Sequence, residues 1–281
     1  MNLKSSARAL TPPVLWTLLH RLRQGWGAPG PEWEHVPEGW DAAVSRCLGW
    51  NVPDVAATQR ARWPSWTEYL RGTEPLDWGH ESPGRGGVAQ QDTHLVFAYA
   101  LALAARGRDR ISMLDWGGGP GHYAEIARAL LPGLEVDYHC RDLPLLVALG
   151  RDLLPGDTFH EDDAWRERSY DLVCSSGSLH YSPDWRATLA ALAAVTRGYL
   201  LVSRLPTTVG PTSWVFVQRA HAYGYGTEYA GWCVAREELR EAARASGLVV
   251  VRELLMAEAP RIAGAPGPCR YHAWLFRPAA A

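Results

Sequence analysis

Lysine is almost absent from this sequence, and its scarcity excludes one class of covalent chemistry. Lys4 is the only lysine among the 281 residues. Schiff-base and pyridoxal mechanisms need a lysine amine as the nucleophile. Because arginine supplies every other basic side chain, we set these mechanisms aside.

The sequence also lacks an excess of charge of either sign. Lys and Arg total 28, Asp and Glu total 30, and the formal net charge is −2. A broad cationic surface is what gathers phosphate backbones and anionic lipids. We therefore expect neither nucleic acid nor a membrane as a partner.

Cysteine and long apolar runs are sparse. The five cysteines are widely spaced and form no CxxC pair, so neither a disulfide framework nor a zinc site is predicted. No run approaches the 18 apolar residues of a membrane helix, and the first ten residues lack a signal-peptide core. We expect a cytoplasmic protein with reduced thiols and no bound metal.

The distribution of turn formers predicts two regions. Segment 81–87 is rich in glycine, with a proline and almost no apolar content, which is typical of a linker. Residues 1–86 are predicted to form an N-terminal helical lid or substrate segment, with helices over Val14–Arg23, Trp40–Leu48 and Ala57–Leu70. Eight of the 14 tryptophans lie before residue 80. Two interpretations stay open: they fill the core of this segment, or they wall a ligand.

Residues 87–281 alternate between strand and helix patterns. Strict alternation favours parallel pairing with helices on both faces of the sheet. We predict a doubly wound α/β fold with a mostly parallel seven-stranded sheet. The predicted strands cover Ile111–Asp115, Leu134–Cys140, Thr158–His160, Tyr170–Ser175, Tyr199–Ser203, Leu248–Leu255 and Tyr271–Phe276. An aromatic-rich insertion at 210–234 interrupts the alternation. Ser182 is predicted to be the N-cap of the helix that ends at Gly198.

A glycine-rich turn follows the first predicted strand of this region. Asp115, Gly117, Gly119 and Gly121 form the pattern acid-x-Gly-x-Gly-x-Gly. Glycines permit positive φ and close approach of a ligand to the backbone, and the next helix begins with unpaired N–H groups. A P-loop would need a Gly-Lys-Ser/Thr ending, and a dinucleotide fingerprint would need a small residue where His122 stands.

This pattern resembles motif I of the Rossmann-like, class I S-adenosylmethionine-dependent methyltransferases. The resemblance implies that S-adenosyl-L-methionine is the cofactor, that the loop lies beside its methionine portion and that Asp115 orients the amino end. It implies that Asp142 binds the ribose, and that Asp163, or its neighbour Asp162, receives the adenine amino group. Ser175, at the end of a strand, completes the expected cofactor contacts.

Three further segments are similar to a branch of bacterial methyltransferases from polysaccharide and natural-product gene clusters. They are 142–144, 171–181 and 201–206, and the resemblance covers about residues 85–277. It implies transfer of a methyl group to a small-molecule acceptor, which we expect to be a hydroxyl. His180, with Tyr181 beside it, is the candidate base, with packing as the alternative. The candidate acceptor contacts are Arg204, Gln218, His221 and Tyr225.

Other functions stay open at this point. Nitrogen or carbon is an alternative acceptor atom, and a catalytically silent cofactor-binding assembly partner is an alternative function. A nucleic-acid methyltransferase is a weaker alternative, because Ser175–Ser178 stands where a base-flipping motif would be expected. A homodimer is possible.

Overall fold

The computed structural model describes residues 30–79, 84–85 and 87–279. The predicted helix Val14–Arg23 lies outside the described residues, as do two of the tryptophans, Trp16 and Trp26. In the described part of the chain, no helix combines the length and the apolarity needed to cross a bilayer.

The elements follow in chain order, with our own labels. The helices are α1 (Trp40–Val44), α2 (Pro53–Leu70), α3 (Gly87–Ala105), α4 (His122–Leu130), α5 (Pro144–Leu153), α6 (Trp185–Val195) and α7 (Arg236–Ala245). The strands are β1 (Trp33–His35), β2 (Arg110–Trp116), β3 (Glu135–Arg141), β4 (Thr158–His160), β5 (Tyr170–Ser176), β6 (Thr196–Thr208), β7 (Trp214–Arg219), β8 (Glu228–Ala235), β9 (Leu248–Leu255), β10 (Ile262–Ala263) and β11 (Arg270–Pro278).

Seven strands form the sheet that the sequence predicts. Their order is β4-β3-β2-β5-β6-β11-β9, and the five strands from β4 to β6 are mutually parallel. Strand β11 runs antiparallel to both β6 and β9. The doubly wound, mostly parallel sheet is therefore confirmed.

Four more strands extend this sheet. The last residues of β6 pair in parallel with β8, which forms an antiparallel hairpin with β7. Strand β1 then pairs antiparallel with β7 and parallel with β10. Two corrections follow: the segment at 210–234 contains a β-hairpin, and the N-terminal segment contains a strand besides its helices. The hairpin was missed because both of its strands are buried on both faces and so lack the alternating pattern of a half-buried strand.

The sheet is covered on both faces, as a parallel sheet requires. One apolar cluster joins side chains of α3 and α4 with Trp33, Trp63 and Trp66 of the N-terminal segment. A second cluster lies between the sheet and helices α6 and α7. Packing therefore explains these three tryptophans, which are buried.

One predicted helix cap is wrong. Helix α6 begins at Trp185, and the side chain of Asp184 accepts a hydrogen bond from the backbone N–H of Ala187 at 3.0 Å. Ser182 lies two residues earlier, and its hydroxyl contacts that of Thr188 at 2.7 Å. The carboxylate is the stronger acceptor for the free N–H groups at a helix start.

Candidate active site

The glycine loop leaves β2 with three residues in the left-handed region. Gly117, Gly119 and Gly121 have φ values of +73°, +61° and +99°. A Cβ at Gly117 would lie 2.3 Å from the Cβ of Ser178. The loop thus needs glycine both for its backbone and for its contact with the segment that follows β5.

Asp142 ties this loop to the end of β3. Its carboxylate accepts hydrogen bonds from the backbone N–H of Gly119 at 2.7 Å and from that of Leu143 at 2.6 Å. Burial raises the pKa of Asp142, while the two N–H donors act in the opposite direction. The carboxylate is therefore held in one orientation at the mouth of the loop.

Asp115 lies beneath the loop and does not line the cavity in front of it. Its carboxylate accepts a hydrogen bond from the Tyr138 hydroxyl at 2.7 Å. A Cβ at Gly118 would lie 2.2 Å from this carboxylate. Burial raises the pKa of Asp115 to about 7, and the nearby Asp142 carboxylate adds to the effect. The structure supports a role in shaping the loop, and the direct contact with the cofactor's amino end stays a prediction.

A cavity of about 440 Å³ opens in front of the loop. Asp142 lines it on one side and Asp163 at another point, whereas Asp162 does not line it. The Asp162 carboxylate instead accepts a hydrogen bond from the backbone N–H of Ala164 at 3.1 Å. Between the two open interpretations of this acidic pair, the geometry favours Asp163.

Ser175 does not reach the cavity. Its side chain is fully buried, and its hydroxyl contacts that of Ser178 at 2.8 Å. The next three residues, Ser176, Gly177 and Ser178, line the cavity in its place. Strand β5 continues one residue beyond the predicted end, which moves the exposed turn past Ser175.

A second, smaller space lies behind this cavity, and we call it the aromatic chamber. It has a volume of about 20 Å³ and shares Trp50, Gly177, Tyr181 and Arg204 with the larger cavity. The remaining residues of its lining are Trp33, His180, Gln218, Ala220, Tyr223, Tyr225, Tyr229 and Tyr271. The hairpin β7–β8 and the turn that joins its strands supply most of these side chains.

The comparisons with known proteins agree with this geometry. Residues 88–253 match a family model described as a methyltransferase domain. The chain belongs to this family. It is a methyltransferase, and its fold is that of the class I S-adenosylmethionine-dependent enzymes.

Solved structures share the fold of this methyltransferase at low sequence identity. A crystal structure described as a sarcosine dimethylglycine methyltransferase from Galdieria sulphuraria is 16% identical, with a TM-score of 0.50, covering 79% of this chain and 98% of that one. The Burkholderia thailandensis 1,6-didemethyltoxoflavin-N1-methyltransferase, solved with S-adenosylhomocysteine, is 19% identical (TM-score 0.46, 83% of this chain, 95% of that one). No curated protein sequence matches this chain.

The residues of the larger cavity fit S-adenosylmethionine, the cofactor of this family. Asp142 and Asp163 offer acceptors at two separate points, and Leu143, Leu146 and Ile126 give apolar walls. Trp165 also lines the cavity, and its buried indole N–H has no hydrogen-bond partner among the described residues. A zwitterionic nucleoside needs this mixture of carboxylates and apolar surface.

His180 lines the aromatic chamber of the methyltransferase and not the larger cavity. Its side chain is buried, and neither ring nitrogen has a hydrogen-bond partner among the described residues. Burial, with the positive charge of Arg204 as a second cause, lowers the pKa of His180 to about 3. The imidazole is thus neutral at physiological pH.

Tyr181 and two predicted acceptor contacts come together around the chamber. The Tyr181 hydroxyl donates to the Gln218 side-chain oxygen at 2.7 Å. The Tyr225 hydroxyl accepts from the Gln59 side-chain amide at 3.2 Å. His221 lies outside this group: its side chain is 44% exposed, and Nε2 lies 3.8 Å from the Glu228 carboxylate. The helical turn after β7 carries the His221 imidazole away from the lining of the chamber, so its contact with an acceptor stays a prediction.

Arg204 lies where the two spaces meet. It is the only non-glycine residue in the described part of the chain with positive φ, at +48°. Strand β6 pairs Leu205 with His272 and Val202 with Trp274, so Ser203 and Arg204 together oppose Ala273. This two-against-one arrangement is a β-bulge, which re-aims a side chain out of the regular alternation. The Arg204 guanidinium accordingly lies over Gly177, with Nη1 3.6 Å from the position of a Cβ there.

Several cavity residues were missed by the sequence analysis. Trp50 stacks on Tyr229 with ring centroids 3.8 Å apart and separates the cavity from the chamber. Gln59 of α2 and three residues of α3 (Gln90, Thr93 and His94) also line the cavity. Polar residues at i, i+3 and i+4 in an otherwise apolar helix are the signal that could have identified the last three.

Proposed function

We propose that this methyltransferase transfers the S-adenosylmethionine methyl group to a hydroxyl of a small-molecule acceptor, in natural-product or sugar and polysaccharide biosynthesis. One observation carries the proposal: the cavity of about 440 Å³ at the glycine loop extends to Trp50, Tyr181 and Arg204, beside the segment that follows β5. An acceptor at that end of the cavity would face the cofactor directly.

The chamber, at about 20 Å³, is too small for an acceptor, but two of its aromatic side chains, Trp50 and Tyr181, also line the larger cavity. Aromatic walls with few polar groups suit a small, ring-bearing molecule there. The stack of Trp50 on Tyr229 and the buried Tyr225 leave little room for water around a bound acceptor. Exclusion of water and alignment of two reactants provide much of the rate of a displacement reaction.

We assign the roles of the binding residues on the same basis. When bound, the cofactor supplies an electrophilic methyl group on a sulfonium. Asp142 would accept the ribose hydroxyls while it holds Gly119 of the loop. Asp163 would receive the adenine amino group. Tyr181, which borders both spaces, would position the acceptor beside the methyl group.

We also propose that the N-terminal region, residues 1–86, forms half of the acceptor site over the core of residues 87–281. Trp33 and Trp50 line the chamber, and Gln59 lines the cofactor cavity. A lid that contributes side chains to both spaces would close over the cofactor and the acceptor together.

The test is methyl transfer from labelled S-adenosylmethionine to a panel of small hydroxyl, amine and thiol acceptors, with RNA and DNA included. Transfer to hydroxyl acceptors, lost in Asp142→Ala, is the expected result. Cofactor binding without transfer to any acceptor would favour the silent assembly partner. Methylation of RNA that weakens with added salt would favour the nucleic-acid alternative.

A further inference from the structure

Helix α2 of the N-terminal region brings one buried amide to the larger cavity. Gln59 is 3% exposed and lines this cavity. Its side-chain nitrogen donates a hydrogen bond to the Tyr225 hydroxyl at 3.2 Å, whereas its side-chain oxygen is buried without a hydrogen-bond partner among the described residues. Buried polar atoms are normally hydrogen-bonded, because leaving one unpaired costs its full desolvation. An unfilled acceptor at a cavity therefore points to a donor on a ligand.

The Gln59 oxygen lies next to the glycine loop. It is 3.5 Å from the position that a Cβ would take at Gly119. The backbone N–H of the same glycine donates to the Asp142 carboxylate at 2.7 Å. Gly119 is therefore flanked by two acceptors that face the same cavity, one from the core and one from the N-terminal region.

The packing of α2 places Gln59 on the β3 side of the cavity. Val55, one turn before Gln59 on the same face of α2, packs in one apolar cluster with Leu146 of α5. Arg60 of α2 forms an ion pair with Asp152 of α5 at 2.6 Å. Helix α5 follows β3 directly in the chain. The Gln59 amide is thus held on the side of the cavity that β3 and α5 form.

The strand order indicates which part of a bound nucleoside lies on that side. The strands that end at the cavity follow in the order β4, β3, β2 and β5. Asp163, on the adenine side, comes after β4, and Gly177, at the acceptor end, comes after β5. Ribose would lie between these ends, at β3, where its donors are two hydroxyl groups. A neutral carbonyl oxygen is a suitable acceptor for a hydroxyl.

Tyr225 fixes the orientation of the Gln59 amide. It belongs to the turn between β7 and β8, is buried, and lies behind the larger cavity without lining it. Helix α2 is held on this turn by a second polar contact, since the Arg62 guanidinium donates to the backbone oxygen of Tyr223 at 2.8 Å. The amide nitrogen is therefore committed to the turn, and the oxygen is left for the cavity.

We propose that Gln59 is a cofactor-binding residue, whose side-chain oxygen accepts a hydrogen bond from one ribose hydroxyl of S-adenosylmethionine while Asp142 accepts the other. Tyr225 is a positioning residue that acts through Gln59. This inference rests on the proposed cofactor site and divides the ribose hydroxyls between the core and the N-terminal region. Bound ribose would thereby connect the glycine loop to α2, and through Tyr225 to the β7–β8 hairpin.

The test measures the affinity of the full chain by calorimetry for S-adenosylhomocysteine and for its two analogues that lack the 2′- or the 3′-hydroxyl. Gln59→Leu keeps the approximate size of the side chain and removes the acceptor. We expect this variant to bind S-adenosylhomocysteine about three- to tenfold more weakly, the effect of one hydrogen bond. For one of the two deoxy analogues it should cause no further loss, because the hydroxyl that Gln59 binds is already missing.

Two results would overturn the ribose assignment. One is an unchanged affinity of Gln59→Leu for S-adenosylhomocysteine. The other is an equal loss for all three ligands, which would mean that Gln59 acts by packing or at another part of the cofactor. Gln91→Leu is the matched control, since Gln91 on α3 does not line the cavity, and its affinities should equal those of the wild type.

Tyr225→Phe tests the positioning role, because it keeps the ring and removes only the hydroxyl that holds the amide. It should weaken S-adenosylhomocysteine binding less than Gln59→Leu does. The double variant should bind like Gln59→Leu alone, whereas additive losses would show that Tyr225 does not act through Gln59. Urea unfolding without ligand checks that each variant is folded.

The outcomes also separate this inference from the proposed function. If the wild type fails to bind S-adenosylhomocysteine, the proposed cofactor site fails as well. If the wild type binds it, and Asp142→Ala weakens binding while Gln59→Leu does not, only the role of Gln59 is wrong.

Discussion

Three carboxylates lie at or just after the carboxyl ends of three neighbouring parallel strands, and each has a different environment. Asp115 is buried beneath the glycine loop, Asp142 is buried but hydrogen-bonded to two backbone N–H groups, and Asp163 is exposed at the cavity. The carboxyl ends of parallel strands meet at one edge of a sheet, where ligands of such sheets bind. Their positions at the ends of adjacent strands bring these acids together, whereas their burial determines which of them can contact a ligand in the cavity.

The first prediction concerns Asp142. Asp142→Ala should weaken S-adenosylhomocysteine binding by tenfold or more, because hydrogen bonds to a charged group contribute about 1.5–3 kcal/mol each. Calorimetric titration measures the change. Asp162→Ala is the matched control and should leave the affinity unchanged, since Asp162 does not line the cavity. An equal loss of affinity in both variants would contradict the assignment.

The second prediction concerns the raised pKa of Asp115. Its pKa of about 7 in the folded protein lies above the ordinary value of 3.8. A carboxyl with a raised folded-state pKa stabilises the fold at low pH, and this contribution is lost as the pH rises through about 7. Asp115→Asn removes the ionisation, so the variant should gain stability relative to the wild type between pH 5 and about pH 7, by roughly 3 kcal/mol.

Urea unfolding of the cofactor-free protein at several pH values checks this prediction. The difference in unfolding free energy between Asp115→Asn and the wild type should grow as the pH rises. A difference that stays constant from pH 5 to pH 8 would show that Asp115 is ionised throughout. Glu161→Gln removes an exposed carboxylate after β4, away from the glycine loop, and is the matched control.

At the scale of elements, the turn from β2 into α4 is fixed by packing as well as by backbone geometry. Gly121 precedes α4 in the left-handed region, and a Cβ there would lie 2.6 Å from a methyl group of Leu154. Leu154 and the nearby Phe159 belong to the apolar cluster that α4 covers. The turn, the helix and the cluster therefore depend on this one glycine.

Gly121→Ala should lower the free energy of unfolding by about 1–3 kcal/mol, from backbone strain and the contact with Leu154. Gly133→Ala is the matched control: that glycine lies in the next turn, has no positive φ, and a Cβ there meets no atom within 4 Å. We expect a change within about 0.5 kcal/mol for the control. Chemical denaturation measures both free energies of unfolding. Equal losses in the two variants would show that neither backbone strain nor the contact with Leu154 at Gly121 affects stability.

Strand β6 connects the parallel sheet to the candidate site. Its first half lies in the parallel sheet, and its last residues pair with β8 of the added hairpin. The bulge at Ser203 and Arg204 lies between these halves and directs the arginine into the site. A regular strand of the same length would place this side chain by simple alternation, without a turn over Gly177.

At the scale of the whole molecule, the N-terminal segment and the core share one apolar cluster. Trp33, Trp63 and Trp66 pack in the same cluster as Phe97 of α3 and Met113 of β2. Separate cores would let the two regions unfold independently, whereas a shared core couples them.

We therefore expect one cooperative thermal transition, with equal calorimetric and van't Hoff enthalpies. S-adenosylhomocysteine at a hundred times its dissociation constant should stabilise the whole protein by about 2.7 kcal/mol, because it binds only the folded state. Differential scanning calorimetry with and without this ligand measures both. Two separate transitions, only one of which shifts with ligand, would contradict the shared core.

Sequence alone placed the glycine loop and Asp142 of the candidate cofactor site at one cavity, for a local reason. The pattern from Asp115 to Gly121 is contiguous, and Asp142 follows the next strand at a spacing set by one strand–helix unit. Chain connectivity places such residues without knowledge of distant contacts. The adenine-side acid was left open between Asp162 and Asp163 because a shift of one residue in a turn leaves no trace in the sequence pattern.

The proposed acceptor site is harder to predict from sequence, since its residues come from distant parts of the chain. Trp50, Gln59 and Tyr225 are brought together by the packing of α2 and the β7–β8 hairpin on the core. Their positions depend on long-range pairing, including the contact of β1 with β7. His221 and Tyr225 are four residues apart, yet only Tyr225 faces the chamber.

The sequence by itself determined the α/β architecture and the place of the glycine loop, because hydrophobic periodicity and glycine spacing act over a few residues. Tertiary structure alone decided that Ser175 is buried, that His180 is a neutral group in the aromatic chamber and that a bulge aims Arg204 over Gly177. Burial, charge environment and strand register arise only when distant segments pack together, so no local pattern encodes them.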